Sequence, residues 1–254
     1  MKYIILVTII FFTTTNVNAV ELGETQITAE DGIEVFQKEK YYLLKNNVEI
    51  LSDNFNLYAD TVKAFFDKDL YDVIKLYAEG KVILNSIDRD INAKGEILEF
   101  TIIDEKIKIT GKDSQLILNK ASMFSDGIIK VNNLDGTFLL NGENSTLTSE
   151  DIVVYGKNID GKFTSKNGIN EIIQLDVQDE FISNIKTKKI DMYSLKAIYD
   201  KEKNIIELID NVKVIRGNEI ITGDYGSVNI TNNSYKVTSN DSNKVKVLIT
   251  ETDE

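Results

Sequence analysis

Cysteine, histidine, proline and tryptophan do not occur among the 254 residues of this chain. Without cysteine there can be no disulfide and no thiolate metal site. Stability must therefore come from hydrogen-bonded backbone and buried apolar area, which a chain of this length can supply. With histidine missing as well, the common nucleophile–base pairs and the usual zinc ligand sets are excluded, and no cofactor is expected. The missing proline and tryptophan, beside abundant Ile, Lys, Asn and Asp, reflect AT-rich codons more than chemistry. Positive charge is also scarce. Against 41 acidic residues stand 29 basic ones, a net charge of -12, and only Arg89 and Arg216 carry guanidinium groups. An acidic surface repels phosphate backbones, so nucleic acid is not an expected partner.

The apolar run Ile4 to Phe12 follows the single positive charge of Lys2 and is too short to span a bilayer as a helix. With small residues at Val17 and Ala19, it reads as a secretory signal peptide over 1–19, with a mature start at Val20; a retained anchor is the alternative.

From Ile27 onward, runs of five to eight residues carry apolar side chains at every second position and are separated by Gly, Asn and Asp. Period two with turn punctuation predicts strands. In Tyr42-x-Leu44-x-Asn46-x-Val48-x-Ile50 one face is mostly apolar, while Lys45, Asn47 and Glu49 point the other way. Similar alternation recurs at Val62, Ala64 and Phe66, at Ile152 and Val154, and at Leu195, Ala197 and Tyr199. The best helical period, Asp60 to Phe66, fits a strand equally well. No linker divides the chain, so 20–254 is expected to form a single all-β domain with a frayed acidic end at about 239–254. Within that end, Val245, Val247 and Ile249 alternate as one more strand, an edge able to recruit another chain.

A weak internal repeat matters more than any one strand. Residues 41–51 align without a gap on 205–215, placing Asn47-Val48 on Asn211-Val212, and the same register brings Asp60 onto Asp224, Ala64 onto Val228 and Phe66 onto Ile230. A looser copy begins at Ala78-Glu-Gly-Lys-Val-Ile-Leu84.

Few constellations suggest chemistry. Asp176, Asp179 and Glu180 are near enough for a carboxylate acid/base pair, but acidic loops commonly look like this. Residues 88–99 place acids at positions 1, 3 and 12 of a calcium loop with Asn92 at the fifth, but Ala93 replaces the glycine that the sharp turn needs, so no metal site is expected. Four Asn-x-Ser/Thr sequons begin at Asn144, Asn229, Asn232 and Asn240.

The segments Ile27-Thr-Ala-Glu-Asp-Gly-Ile-Glu-Val-Phe-Gln-Lys-Glu-Lys40, Leu44-Lys-Asn-Asn-Val-Glu-Ile50, Leu195 to Val214 and Ile221-Thr-Gly-Asp224 resemble the OstA-like family typified by the lipopolysaccharide-transport protein LptA. The resemblance is clear over 27–100 and 190–237 and weak between. It implies an open, twisted β-jellyroll whose two sheets leave an apolar groove for lipopolysaccharide acyl chains. It also implies a periplasmic setting in a Gram-negative bacterium, docking to LptC-like inner-membrane and LptD-like outer-membrane partners, and head-to-tail self-association through edge strands. On this view the lining residues are Leu44, Val48, Ile50, Leu57, Ala64, Phe66, Leu208, Val212, Val214, Val228 and Ile230, with Lys186, Lys188, Lys189 and Arg216 as headgroup rim. A membrane-tethered, LptC-like accessory of the same pathway, a structural β-solenoid with a packed interior, and a carbohydrate-active β-protein are the other readings the residues leave open.

Overall fold

The computed structural model describes residues 25–68, 72–86, 90–118, 121–166, 169–240 and 243–250; the signal-peptide segment lies outside them. Every regular element among the described residues is a strand. In chain order these are β1 (Thr25–Thr28), β2 (Ile33–Phe36), β3 (Tyr41–Ser52), β4 (Phe55–Phe66), β5 (Val73–Ser86), β6 (Ile91–Thr101), β7 (Lys106–Thr110), β8 (Ser114–Leu118) and β9 (Ala121–Ser125). They continue with β10 (Ile128–Asn132), β11 (Thr137–Thr148), β12 (Ile152–Lys166), β13 (Ile169–Thr187), β14 (Asp191–Asp200), β15 (Ile205–Arg216), β16 (Glu219–Asn229), β17 (Ser234–Thr238) and β18 (Lys246–Ile249). The segment near Asp60 is strand, as is the stretch from Ile91 that the calcium-loop pattern overlapped.

All pairings are antiparallel and most join chain neighbours, with β1–β3, β6–β8, β7–β10, β9–β11 and β16–β18 as the exceptions; most long strands break register in the middle, as between Lys45 and Val48, Glu79 and Val82, and Ile209 and Val212. At those breaks the strands fold double. A straight β16 would hold Glu219 and Val228 roughly 30 Å apart. Yet Tyr235, the cross-strand partner of Val228, donates its hydroxyl to the carboxylate of Glu219. Each long strand therefore contributes one half to each of two facing walls. Wall A contains β2, β7, β10 and β17 with the first halves of β3, β5, β11, β13 and β15 and the second halves of β4, β6, β12, β14 and β16. The other halves form wall B with β1, β8, β9 and β18. The walls share a spine at the corners and part along the opposite side, the mouth.

Corner chemistry explains the folding. Asn46-Asn47, Gly80-Lys81 and Asp210-Asn211 all have positive φ, between 46° and 82°. Gly, Asn and Asp are the residue types that enter this region most readily. Two such residues turn the chain and let alternation resume with an apolar side chain still inward, as Leu44 before and Val48 after the first corner show. The aligned repeat is thus the recurrence of one corner. Inside the middle corners lie serines: Ser114 pairs with Ser125, and Ser183 with Ser194. Each is buried, and each hydroxyl donates to a carbonyl freed by the turn, Ser114 to Gly111 at 2.8 Å and Ser183 to Ser194 at 2.8 Å. Outside the corners, carboxylates collect the orphan N–H groups. Asp126 accepts from Asn144 N at 3.1 Å, Asp179 from Lys157 N at 2.9 Å, and Asp224 from Asn240 N at 2.8 Å. Those bonds hold the Asp126 carboxyl below its ordinary pKa, the Asn144 backbone N–H being the largest cause.

Candidate functional site

Inward-facing side chains of both walls form one apolar cluster that runs the length of the molecule. Leu44, Val48, Ile50, Leu57, Ala64 and Phe66 enter it near one end; Leu208, Val212, Val214 and Val228 enter near the other; all are buried, and Ile230 is half-buried at the mouth. Leu98, Ile109, Leu116, Ile129, Leu140, Leu147, Val177 and Met192, which had not been singled out as lining, join the two groups, each with no exposed surface. Side chains therefore fill the space between the walls, and every strand ladder among the described residues runs within a wall, none across the mouth.

The mouth differs along its length. In the N-terminal half aromatic rings close it: Tyr42 packs on Phe66 with centroids 5.3 Å apart, and Phe55 and Phe100 pack against the same cluster. In the C-terminal half it gapes into a cleft of about 690 Å³. Ser149 to Ile152 and Thr187 to Lys189 line it from wall B's rim, and Asn170 to Ile172, Tyr199, Lys201, Asn204, Ile230, Thr231 and Asn233 from wall A's. Its apolar floor is Ile152, Ile172 and Ile230. Three lysines surround that floor. Lys188 meets Asp151 at 3.3 Å with both side chains largely exposed, and Lys201 pairs with Glu171. Among the described residues Lys189 has no carboxylate partner. Burial, then Asp151 and Asp200, pushes the phenol of Tyr199 above its ordinary pKa, so it remains a hydrogen-bond donor.

Of the four rim candidates, only Lys188 and Lys189 line this cleft. Lys186 lies on the outer face of wall B, over the Tyr155 ring at 5.6 Å, and Arg216 stands at the far end beside the Tyr235 hydroxyl. Sequence reading missed the cleft residues Lys201 and Ile172, because turns far apart along the chain meet only once the strands fold double. The acids suspected of acid/base work do not converge: Asp176 pairs with Lys196 at 2.8 Å, while Asp179 caps the N–H groups of Lys157 and Phe181. Among the described residues no acidic cluster could hold a metal ion.

Both ends of the walls present edges. Ile27, Ile33 and Val35 on β1 and β2, and Val247, Leu248 and Ile249 on β18, are 41–69% exposed. Midway, β7 pairs with β10 and β8 with β9, and there too the strand that crosses the spine is interrupted, as it is between β1 and β2 and between β17 and β18.

The model of a family described as "LptA/(LptD N-terminal domain) LPS transport protein" matches the chain over residues 26–136 and again over 130–235, so the middle third is included. Among solved structures, the chain is similar to LptH from Pseudomonas aeruginosa, described as the LptA homologous periplasmic component of the conserved lipopolysaccharide transport device. The two are 14% identical with a TM-score of 0.43, over 52% of this chain and 95% of that one. No curated protein matches the chain.

Proposed function

The chain belongs to the LptA/LptD N-terminal domain family of lipopolysaccharide (LPS) transport proteins, and from that premise we propose that it is a periplasmic, non-enzymatic carrier that holds LPS acyl chains against the inward faces of its two walls. What carries the proposal is the uninterrupted apolar interior, which runs from end to end and is bounded at the mouth by side chains alone. An acyl chain enters by parting the walls from the mouth, a motion that costs packing and no backbone ladder. Each methylene transferred from water contributes about 0.8 kcal/mol, so a dozen offset that packing loss without any specific polar contact. Leu44, Val48, Ile50, Leu57, Ala64 and Phe66 line the path at one end, and Leu208, Val212, Val214, Val228 and Ile230 at the other.

The ends favour relay between like units. In wall A, β2 runs from spine to mouth and β17 from mouth to spine; in wall B, β1 and β18 run the opposite ways. Stacking the last strands of one copy on the first strands of the next therefore continues both walls antiparallel at once. LptC-like and LptD-like proteins with the same edge would dock in the same way.

Photo-reactive residues at Leu44 and Val212 are expected to crosslink to LPS, and one at Tyr58, on the outer face of wall B, is not. Equal labelling at the three positions would sink the proposal.

A further inference from the structure

We infer that the outer face of wall A pairs with the same face of a second copy of this chain, about a two-fold axis that passes over Leu139 parallel to the strands. Cross-strand partners place Lys108, Lys130, Leu139, Asp160 and Asp176 in one outward row, on β7, β10, β11, β12 and β13 in turn. Their chain neighbours, such as Ile129, Val131, Phe138, Leu140 and Ile159, are the buried inward ones. The row is antisymmetric in charge. Lys130 and Asp160 stand about 4.8 Å to either side of Leu139, and Lys108 and Asp176 about twice as far. Half a turn about the axis turns a copy over and reverses its row. Leu139 then meets its own counterpart, both lysines meet aspartates and both aspartates meet lysines, which is the self-complementary form of a two-fold interface.

Like charges directly opposite one another weaken an antiparallel pair, yet this row holds two such cases, Lys108 across from Lys130 and Asp160 across from Asp176. Each costs stability in the single chain, and each is compensated in the pair. The inner members of the row are also the free ones. Lys108 bonds to Glu99 at 2.8 Å and Asp176 to Lys196 at 2.8 Å, whereas Lys130 and Asp160 are exposed and have no ion pair among the described residues. A groove of about 410 Å³ runs from Glu99 to Leu139 across the lysine half of the row, and in the pair the aspartate half of the other copy lies over it. The axis keeps both mouths on one side and points the long axes opposite ways, so the end strands of each copy stay free. Three outward rows on these five strands cover roughly 500 Å² of each copy. That is less than the roughly 800 Å² per partner of a standard stable interface, so the pair is reversible and salt-sensitive.

Because the chain has no cysteine, a single introduced thiol reports the contact. Leu139→Cys sits on the axis and should give a disulfide-linked dimer under mild oxidation, several-fold more than Tyr58→Cys on the outer face of wall B, with a yield that falls as salt is added. In the Leu139→Cys background, Lys130→Glu and Asp160→Lys each bring like charges face to face, and each should lower the yield about tenfold although they shift the net charge in opposite directions. Mixed together, the two variants present opposite charges again, so the dimer should return as a heterodimer identified by its mass. Each change also removes a like-charge pair within the wall, so thermal unfolding should find neither variant less stable than its parent. Equal yields from Leu139→Cys and Tyr58→Cys would reduce the dimer to random collision and overturn the inference. A loss in only one charge variant would reduce the effect to net charge, and a mixture that fails to recover would show that the two charges do not meet; either result overturns it as well. Acyl-chain binding is read separately by the crosslinks at Leu44 and Val212, so the carrier proposal and this pairing stand or fall independently.

Discussion

The two halves of the mouth solve the same geometric problem in opposite ways. Both lie where strands doubled at the spine bring their tips together. In the N-terminal half those tips carry rings that pack into the interior; in the C-terminal half they carry lysines, asparagines and carboxylates around a cleft. The same doubled strands thus give a mouth sealed by packed rings at one end and an open cleft at the other, according to which residues stand at the tips.

Substitutions can break this contrast. The largest effect is expected at the sealed half: Phe66→Ala removes a ring that is 4% exposed and should cost about 3–5 kcal/mol in chemical denaturation. Ile230→Ala, at the aligned position of the gaping half and already half-exposed, should cost about 1 kcal/mol or less. Comparable losses would show the cleft to be closed in solution. The spine of the sealed half offers the next test. Gly80 has a φ of +82°, and an added Cβ would come within 2.7 Å of the Asp60 Cβ, whereas Gly32, at +88°, has open space around it. Gly80→Ala should therefore cost about 2–3 kcal/mol and Gly32→Ala about 1 kcal/mol. On the spine of the gaping half, Ser183→Ala leaves a buried carbonyl of Ser194 without its donor, at about 1–2 kcal/mol.

The smallest effects separate the outer faces of wall A and follow pH. In the first half Glu99 lies between Lys108 and Lys75, and their hydrogen bonds, Lys108's first, hold its carboxyl below the usual pKa. That stabilisation is present above the unfolded-state pKa of glutamate and is lost as pH falls through the lower folded value. In the second half Asp160 sits directly across from Asp176, and burial, then that neighbour, raises its pKa. A raised acid pKa destabilises the fold at neutral pH, so Asp160→Asn should stabilise by a few tenths of a kcal/mol at pH 7. The gain should vanish as the medium is acidified below the carboxylate range. The changes in unfolding free energy, relative to wild type, of Glu99→Gln and Asp160→Asn should therefore be opposite in sign at pH 7 and both fade towards zero in acid.

Much of this architecture was legible in the sequence because alternation survives the corners. Asn46-Asn47 and Asp210-Asn211 each insert a turn without changing which face is apolar, so period two ran on unbroken and the inward-facing, buried residues could be picked out in advance. The same continuity concealed the fold's main event. Nothing in the alternation says that a strand such as β12 is two halves at an angle, so neither the facing walls nor the meeting of Lys188 with Lys201 across a cleft could be read off. The serines escaped notice for a related reason. Ser125, Ser145 and Ser183 occupy inward positions where a hydrophobic residue is the ordinary expectation, and only a corner with freed carbonyls gives a buried hydroxyl its use.

The joint at mid-molecule, where β7 meets β10 and β8 meets β9, has the same two-strand, two-wall form as the free ends. Length in such a molecule is a count. Every hairpin inserted at any joint lengthens both walls by roughly 10 Å and leaves the cross-section and the end faces unchanged. Selection could thus set the span of such a protein by duplicating hairpins, as on a ruler with fixed divisions, without redesigning a single contact at either terminus.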